Sequence, residues 1–262
     1  MANRVGVIGH GAIGAVVASE LAAGRVPCCS LAGVLTRSHL HDVPQAVGSL
    51  DELIECSDII VEAAGHEAVI DHAARILAAG VDLLAVSVGA LVDDELRSRL
   101  TDPGLAGRLL LSSGAIGGLG LLRAAALLGS IDSVRLTTTK APDALLASWM
   151  TPSLTAELRT GTGPVPVFEG TAREAVAHFP TSVNVSATLA LATLGLDRTR
   201  VTVVADRSVV RVSHVIEVDG DAGHYELHID NTPSANPRTS AITPYNVLRA
   251  LSDMSDGIVV GL

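Results

Sequence analysis

Six residues near the start of the chain have the types and spacing to hold a pyrophosphate. Gly9-His10-Gly11-Ala12-Ile13-Gly14 follows the apolar run Arg4–Ile8 directly and opens a helical stretch, Ile13–Ala23. In that setting three glycines divide the work between a tight turn, close backbone approach to phosphate, and close packing of helix on strand. The helix start adds N–H groups without helical partners and the positive end of the dipole. Gly9, Gly11, Ala12, Ile13 and Gly14 are therefore the dinucleotide-binding candidates, with His10 facing solvent or cofactor.

A carboxylate about twenty residues further on, at the end of the second strand, commonly holds the ribose 2′-hydroxyl of NAD. Here that strand ends Leu35-Thr36-Arg37-Ser38, with no acid. The planar guanidinium of Arg37, flanked by the hydroxyls of Thr36 and Ser38, suits a 2′-phosphate instead. NADP is the expected preferred cofactor, with NAD tolerated. Ligands of such sheets lie beyond the carboxyl ends of strands, so two more strand ends should border the cofactor. These are Ala63 and Ala64 in Glu62-Ala63-Ala64-Gly65, and Ser87, Val88 and Gly89 in Ser87-Val88-Gly89-Ala90. His66 lies at the first of these ends.

The elements that must position these loops alternate as repeated βα units do. Expected strands are Arg4–Ile8, Leu31–Thr36, Asp58–Ala63, Leu83–Val88 and Arg108–Ser112; expected helices are Ile13–Ala23, Glu67–Ala79 and Leu91–Leu100. The strands are almost wholly apolar and so belong to a parallel sheet buried on both faces. After Ser113 a glycine-rich bend, Gly114 to Gly120, leads into a helix ending at Leu128. Strand-like runs follow at Ser133–Thr139, Pro164–Glu169, Arg200–Ala205, Val209–Val218 and His224–Asp230, with helices near Ala172–Ala177 and Val185–Leu194. Antiparallel pairing is expected among the last three strands, with a hairpin turn at Asp219-Gly220-Asp221. His224 and His228 alternate along the last of them as surface residues. The expected fold is α/β: a Rossmann-type doubly wound parallel sheet in 1–113 and a second, α+β catalytic domain in 114–238. Residues 239–262, with a final helix over Thr239–Leu251, are expected to return to the first domain.

Composition limits the partners. The 262 residues carry 18 basic and 28 acidic side chains, a net charge of −10, and 2% are aromatic. Nucleic acid is disfavoured, because phosphate binding draws on clustered Lys and Arg and base stacking on aromatics. Mean hydropathy is +0.44, yet no apolar run approaches the roughly 18–20 residues that cross a bilayer. The start of the sequence has no signal-peptide layout, and a cytoplasmic location is expected. Cys28, Cys29 and Cys56 form neither a disulfide framework nor a metal-ligand spacing, and no metal is expected.

Several longer blocks carry a resemblance. Val61-Glu62-Ala63-Ala64, Ser87-Val88-Gly89-Ala90-Leu91, Ser113-Gly114-Ala115-Ile116-Gly117-Gly118-Leu119, Phe168-Glu169-Gly170-Thr171-Ala172-Arg173-Glu174-Ala175, Phe179-Pro180 with Asn184-Val185, and Asn236-Pro237-Arg238-Thr239-Ser240 run almost end to end. With them the chain resembles the L-aspartate dehydrogenase family. The resemblance implies NAD(P)-dependent oxidative deamination of L-aspartate to iminoaspartate, and by hydrolysis to oxaloacetate and ammonia, or the reverse amination. Release of iminoaspartate towards NAD biosynthesis lies within the family's range. The implied partner is a small dicarboxylate amino acid.

The family's catalytic histidine sits in a strand-borne Asn-x-His-x-Ile pattern after Asp-Pro. Here Asp206-Arg207 and then Val212-Ser213-His214-Val215-Ile216 match it, with His214 in place, Val212 at the Asn position and Arg207 at the Pro position. By the resemblance His214 is the catalytic base; on its apolar neighbours alone it reads as a structural histidine. Histidine suits the task because its ordinary pKa, about 6.5, lies near neutrality.

Lys140, one of very few lysines, ends a strand before a proline as a comparable basic residue does in the family. It is a candidate carboxylate ligand, the alternative being a plain surface lysine. Backbone N–H groups of Ala115, Ile116 and Gly117 suit an anion. Asn184 and Thr239 are further substrate candidates and Asn236 a cofactor candidate; Thr239 or Ser240 also suits the N-cap of the last helix. Because Val212 breaks the pattern, two alternatives stay open. One is an NADP-dependent dehydrogenase or imine reductase for another small amino or keto acid, and the other a non-catalytic dinucleotide sensor. An apolar face on the second sheet is expected to pair with a second copy, giving a homodimer.

Overall fold

A computed structural model describes residues 2–37, 43–180, 183–236 and 239–254. The chain divides into two compact units, one reaching to Gly114 and resuming at Thr243, the other spanning Ala115–Ile242.

The first unit holds a five-stranded parallel sheet in the order β2-β1-β3-β4-β5: β1 (Asn3–Ile8), β2 (Cys29–Leu35), β3 (Ile59–Glu62), β4 (Asp82–Ala85) and β5 (Leu109–Leu111). Val5, Val7, Val34, Val61 and Leu84 of these strands are buried, as unbroken apolar runs in a two-sided sheet require. The helices are α1 (Gly14–Ala22), α2 (Leu50–Cys56), α3 (His66–Ala78) and α4 (Asp94–Leu100). The expected helix over Leu91–Leu100 is two elements, a 3₁₀ turn at Val88–Val92 and then α4. Asp93 makes the break: it is extended, and its carboxylate accepts from the Leu96 N–H as an N-cap.

The terminal helix α9 (Ile242–Asp253) packs into this unit rather than standing apart. Val247 and Leu251 are fully buried against Val17, Ala18 and Leu21 of α1 and the strand valines. Each such side chain stabilises the fold by roughly 1.5–3 kcal/mol. The helix starts at Ile242, so neither Thr239 nor Ser240 is its cap. Ser240 is instead bridged to Pro233, and the Thr239 hydroxyl bonds Ser234 and the Asn236 carbonyl.

The second unit carries a mixed sheet in the order β10-β9-β6-β8-β7: β6 (Ile131–Lys140), β7 (Val165–Thr171), β8 (Arg200–Ala205), β9 (Val212–Gly220) and β10 (Gly223–Asn231). Its helices are α5 (Leu119–Leu128), α6 (Pro152–Thr160), α7 (Ala172–His178) and α8 (Asn184–Ala192). The expected antiparallel run of the last three strands holds only for β9 and β10. β8 pairs parallel with β6 and antiparallel with β7, so β6 lies between β8 and β9. Alternation gives the sheet one buried face, with Leu136, Thr138 and Lys140 of β6 beside Val212, His214 and Ile216 of β9. The opposite face carries Arg135, paired with Glu217 and Asp219, together with Thr137, Thr139 and Ser213. The expected apolar open face is mixed: Val204 and Val215 lie among these polar side chains, because a period of two sends most of the apolar set inward.

Candidate functional site

In the first unit, the turn after β1 is built as the glycine spacing implies. Gly9 has φ +95°, and a Cβ on it would stand 2.8 Å from the Ala63 carbonyl oxygen. A Cβ on Gly14 would stand 2.1 Å from the Gly9 oxygen, so any side chain there forces the turn open. Gly11 has no heavy atom within 4 Å of its Cβ position, so the crest of the loop is clear. At the start of α1, Ile13 provides no side-chain cap and the first turn has no acid. Gly11 and Ala12 are exposed and Ile13 half-buried above this helix end. Such a cradle fits an anionic pyrophosphate.

Beside the loop lies a cleft of about 440 Å³. It brings together Gly9, Thr36, Arg37 and Ala64 from the expected cofactor set, while Ser38 falls outside the described residues. It also brings in Glu67, Asp71 and His72 on α3, which the sequence reading did not place there. His66 is the first residue of that helix.

Ser87, Val88 and Gly89 do not open onto the cleft. They are buried at the start of the 3₁₀ turn, where the unforeseen residue is Glu62. Its carboxylate is 1% exposed and accepts from the Ala64 N–H (2.7 Å), the Gly65 N–H (2.8 Å), the Ser87 N–H (3.0 Å) and the Ser87 hydroxyl (3.0 Å). One carboxylate thus ties the strand-end loop Ala63–Gly65 to the end of β4. The Ser87 N–H, turned to Glu62, no longer continues the ladder, and β4 stops at Ala85 rather than at Val88. An acid written inside an apolar strand, Val61-Glu62-Ala63, was the available signal.

In the second unit the structure gathers a polar cluster inside the buried face of the sheet. His214 is 2% exposed, Lys140 3% and Thr138 not at all. Thr138 and His214 are register partners on β6 and β9, and the Thr138 hydroxyl lies 3.0 Å from Nδ1 of His214. With Nδ1 engaged, Nε2 is the ring nitrogen left to exchange a proton with a ligand. Burial pushes the His214 imidazole down to about 3, the Lys140 ammonium acts in the same direction, and Asp230 opposes them. Burial lowers Lys140 to about 8. Lys140 is the chain's sole lysine and is no surface residue.

The remaining substrate candidates are spread along this unit. Ala115 and Ile116 are buried, and Gly117 has open space where a Cβ would stand. The Ala115 carbonyl accepts from the Asn231 side-chain amide at 2.8 Å. Asn231 is the register partner of Val212, so an amide stands beside the position where the family pattern has asparagine. Asn184 is half-buried at the first turn of α8. Asn236 is exposed and its carbonyl accepts from the half-buried Thr239. Arg238 lies outside the described residues.

Residues 121–254 match the family described as aspartate dehydrogenase, C-terminal. The chain belongs to the aspartate dehydrogenase family. Residues 9–105 match the family described as homoserine dehydrogenase, NAD binding domain. The chain is 38% identical to an L-aspartate dehydrogenase 2 of Bordetella pertussis over 96% of each chain. It is 39% identical to an L-aspartate dehydrogenase of Ruegeria pomeroyi over 95% of this chain and 91% of that one. Among solved structures, aspartate dehydrogenase from Thermotoga maritima superposes with a TM-score of 0.77 at 27% identity, covering 99% of both chains. A scyllo-inositol dehydrogenase from Lactobacillus casei with bound NAD(H), at TM-score 0.52 and 14% identity, shares the fold alone. In this aspartate dehydrogenase family chain the first unit is a dinucleotide-binding domain of Rossmann type and the second an α/β domain holding His214. Among the described residues no helix is long and apolar enough to cross a membrane.

Proposed function

We propose that the chain is an NAD(P)-dependent L-aspartate dehydrogenase, with the dinucleotide held by the first unit and the amino acid by the second. The observation that carries the reading is the sharing of one buried sheet face by His214, its partner Thr138 and the sole lysine. The Gly9–Gly14 turn and the N-terminus of α1 would hold the pyrophosphate, and Arg37 with Thr36 would receive the adenosine end. NADP is the preferred form because β2 ends without a carboxylate and Arg37 lines the cleft. When bound, the dinucleotide would supply the two-electron acceptor for the hydride lost from the substrate's Cα.

The protein's own residues handle protons and charge. Lys140 binds a substrate carboxylate through its ammonium, with the backbone around Ala115–Gly117 as a further anion site. His214 takes a proton at Nε2 from the substrate ammonium, whose lone pair then supports loss of hydride from Cα, or from the water that attacks the imine carbon. In the ligand-free site its imidazole stays neutral and ready to accept. A dicarboxylate beside Lys140 offsets the ammonium charge, which is the smaller of the two influences that hold His214 low, and so raises its affinity for a proton. The balance is aspartate, water and oxidised dinucleotide going to oxaloacetate, ammonium, reduced dinucleotide and one proton. The assembly proposed is a homodimer, which sedimentation equilibrium reads directly.

The deciding test follows absorbance of the reduced dinucleotide with oxaloacetate and ammonium. Turnover that His214→Ala abolishes, with dinucleotide binding intact, supports the reading. Dinucleotide binding without turnover of any amino or keto acid refutes it and favours the sensor alternative.

A further inference from the structure

We infer that Glu67 narrows the preference for the 2′-phosphorylated dinucleotide by competing with the 2′-phosphate for Arg37. The inference rests on the dinucleotide reading of the first unit and goes beyond it, because Arg37 alone would make the site selective for the phosphorylated form. The cleft that Arg37 lines is also lined by Glu67 and, one helical turn on, by Asp71, so among the described residues its lining sets one guanidinium against two carboxylates. Arg37 Nη1 stands 4.0 Å from Glu67 Oε2, and the two side chains are 90% and 84% exposed. Neither is held by packing, and each is at liberty to meet a ligand.

The two carboxylate roles follow from chemistry. A ribose diol donates hydrogen bonds, and a carboxylate is the group that accepts two at once. β2 lacks that acid, and Glu67, in the first turn of α3, brings one to the same cleft from another element. A 2′-phosphate is an acceptor with roughly two negative charges, so Glu67 repels it and also holds the guanidinium that should receive it. One residue therefore supports the unphosphorylated dinucleotide and penalises the phosphorylated one. An exposed pair of this kind is weak, and the expected effects are of modest size.

The test uses binding alone: isothermal titration of the full chain with adenosine 2′,5′-bisphosphate and with ADP, neither of which carries nicotinamide. In Glu67→Gln the bisphosphate should bind about three- to tenfold more tightly and ADP about twofold or more weakly. In Arg37→Ala the bisphosphate should weaken about tenfold or more while ADP changes little. Both positions are solvent-exposed, so the variants are expected to fold, and a Glu67→Lys variant should enlarge the first shift. Equal changes for the two probes in Glu67→Gln, or none, overturn the inference while leaving the dinucleotide reading standing. Failure of the unaltered chain to bind either probe overturns both.

Discussion

The Thr138 hydroxyl lies 3.0 Å from Nδ1 of His214, on the adjacent strand and directly across the ladder from it. Both groups are buried, so the contact fixes the ring plane and commits one of its nitrogens. In the proposed reaction that leaves Nε2 to face substrate. Replacing Thr138 by the isosteric Val removes the hydroxyl and leaves Nδ1 without this partner. We expect kcat to fall about ten- to hundredfold, with a shifted pH profile, and Thr138→Ser to recover most of both. A purely structural role for Thr138 predicts a lower melting temperature with an unmoved pH profile.

Lys140 gives a second pH signature. Its ammonium is lowered to about 8 by burial, so the free protein loses that charge in mildly alkaline solution. With oxaloacetate as substrate and ammonia saturating, kcat/KM should fall above about pH 8, towards roughly tenfold per pH unit. Lys140→Met should lower kcat/KM about ten- to hundredfold at pH 7 and flatten the alkaline limb. An unchanged alkaline limb in Lys140→Met removes Lys140 from the substrate site.

Much of this was legible from residue order, and the failures have physical causes. The glycine turn could be read because its demands are local: φ +95° at Gly9 and no room for a Cβ at Gly14. β6 and β9 could be recognised as strands, but their adjacency could not, because the insertion of β6 between β8 and β9 is a non-local pairing. That hid Thr138, which becomes His214's partner only through register. Glu67 and Asp71 were hidden in the same way, since only the packing of α3 brings them beside Arg37. The short helices α2 and α6 lack a long apolar periodicity, although their start signals are written in the chain. Ser49 accepts from the Glu52 N–H at the head of α2, and Thr151 caps α6 ahead of Pro152.

In the sequence Glu62 is an acid at the end of an apolar strand with no Lys or Arg nearby in the chain. Four donors converge on its buried carboxylate, and two of them come from the loop on the cofactor side. Glu62→Gln replaces one acceptor oxygen by an NH₂ that faces donors. We expect a loss of about 2–4 kcal/mol in stability by urea denaturation and at least tenfold weaker NADP binding by titration. Full stability and affinity in that variant would show that the two loops hold their places without it.

The burial of His214 also makes stability depend on pH. The imidazole is pushed down to about 3 in the folded chain against about 6.5 when unfolded. The unfolded chain therefore binds the extra proton first as the solution is acidified. This contribution is fully present above pH 6.5 and is lost progressively as pH falls from 6.5 towards 3. From pH 6.5 to 4 the unaltered chain should lose roughly 3 kcal/mol through this group alone, the steepest part near one proton per molecule. His214→Gln keeps a polar group opposite Thr138 but cannot take up that proton. Urea midpoints measured across this range should therefore converge between variant and parent at the acid end, even where the parent is the more stable at neutral pH. Parallel curves would mean that His214 is protonated as readily in the folded chain as in the unfolded one, which its 2% exposure argues against.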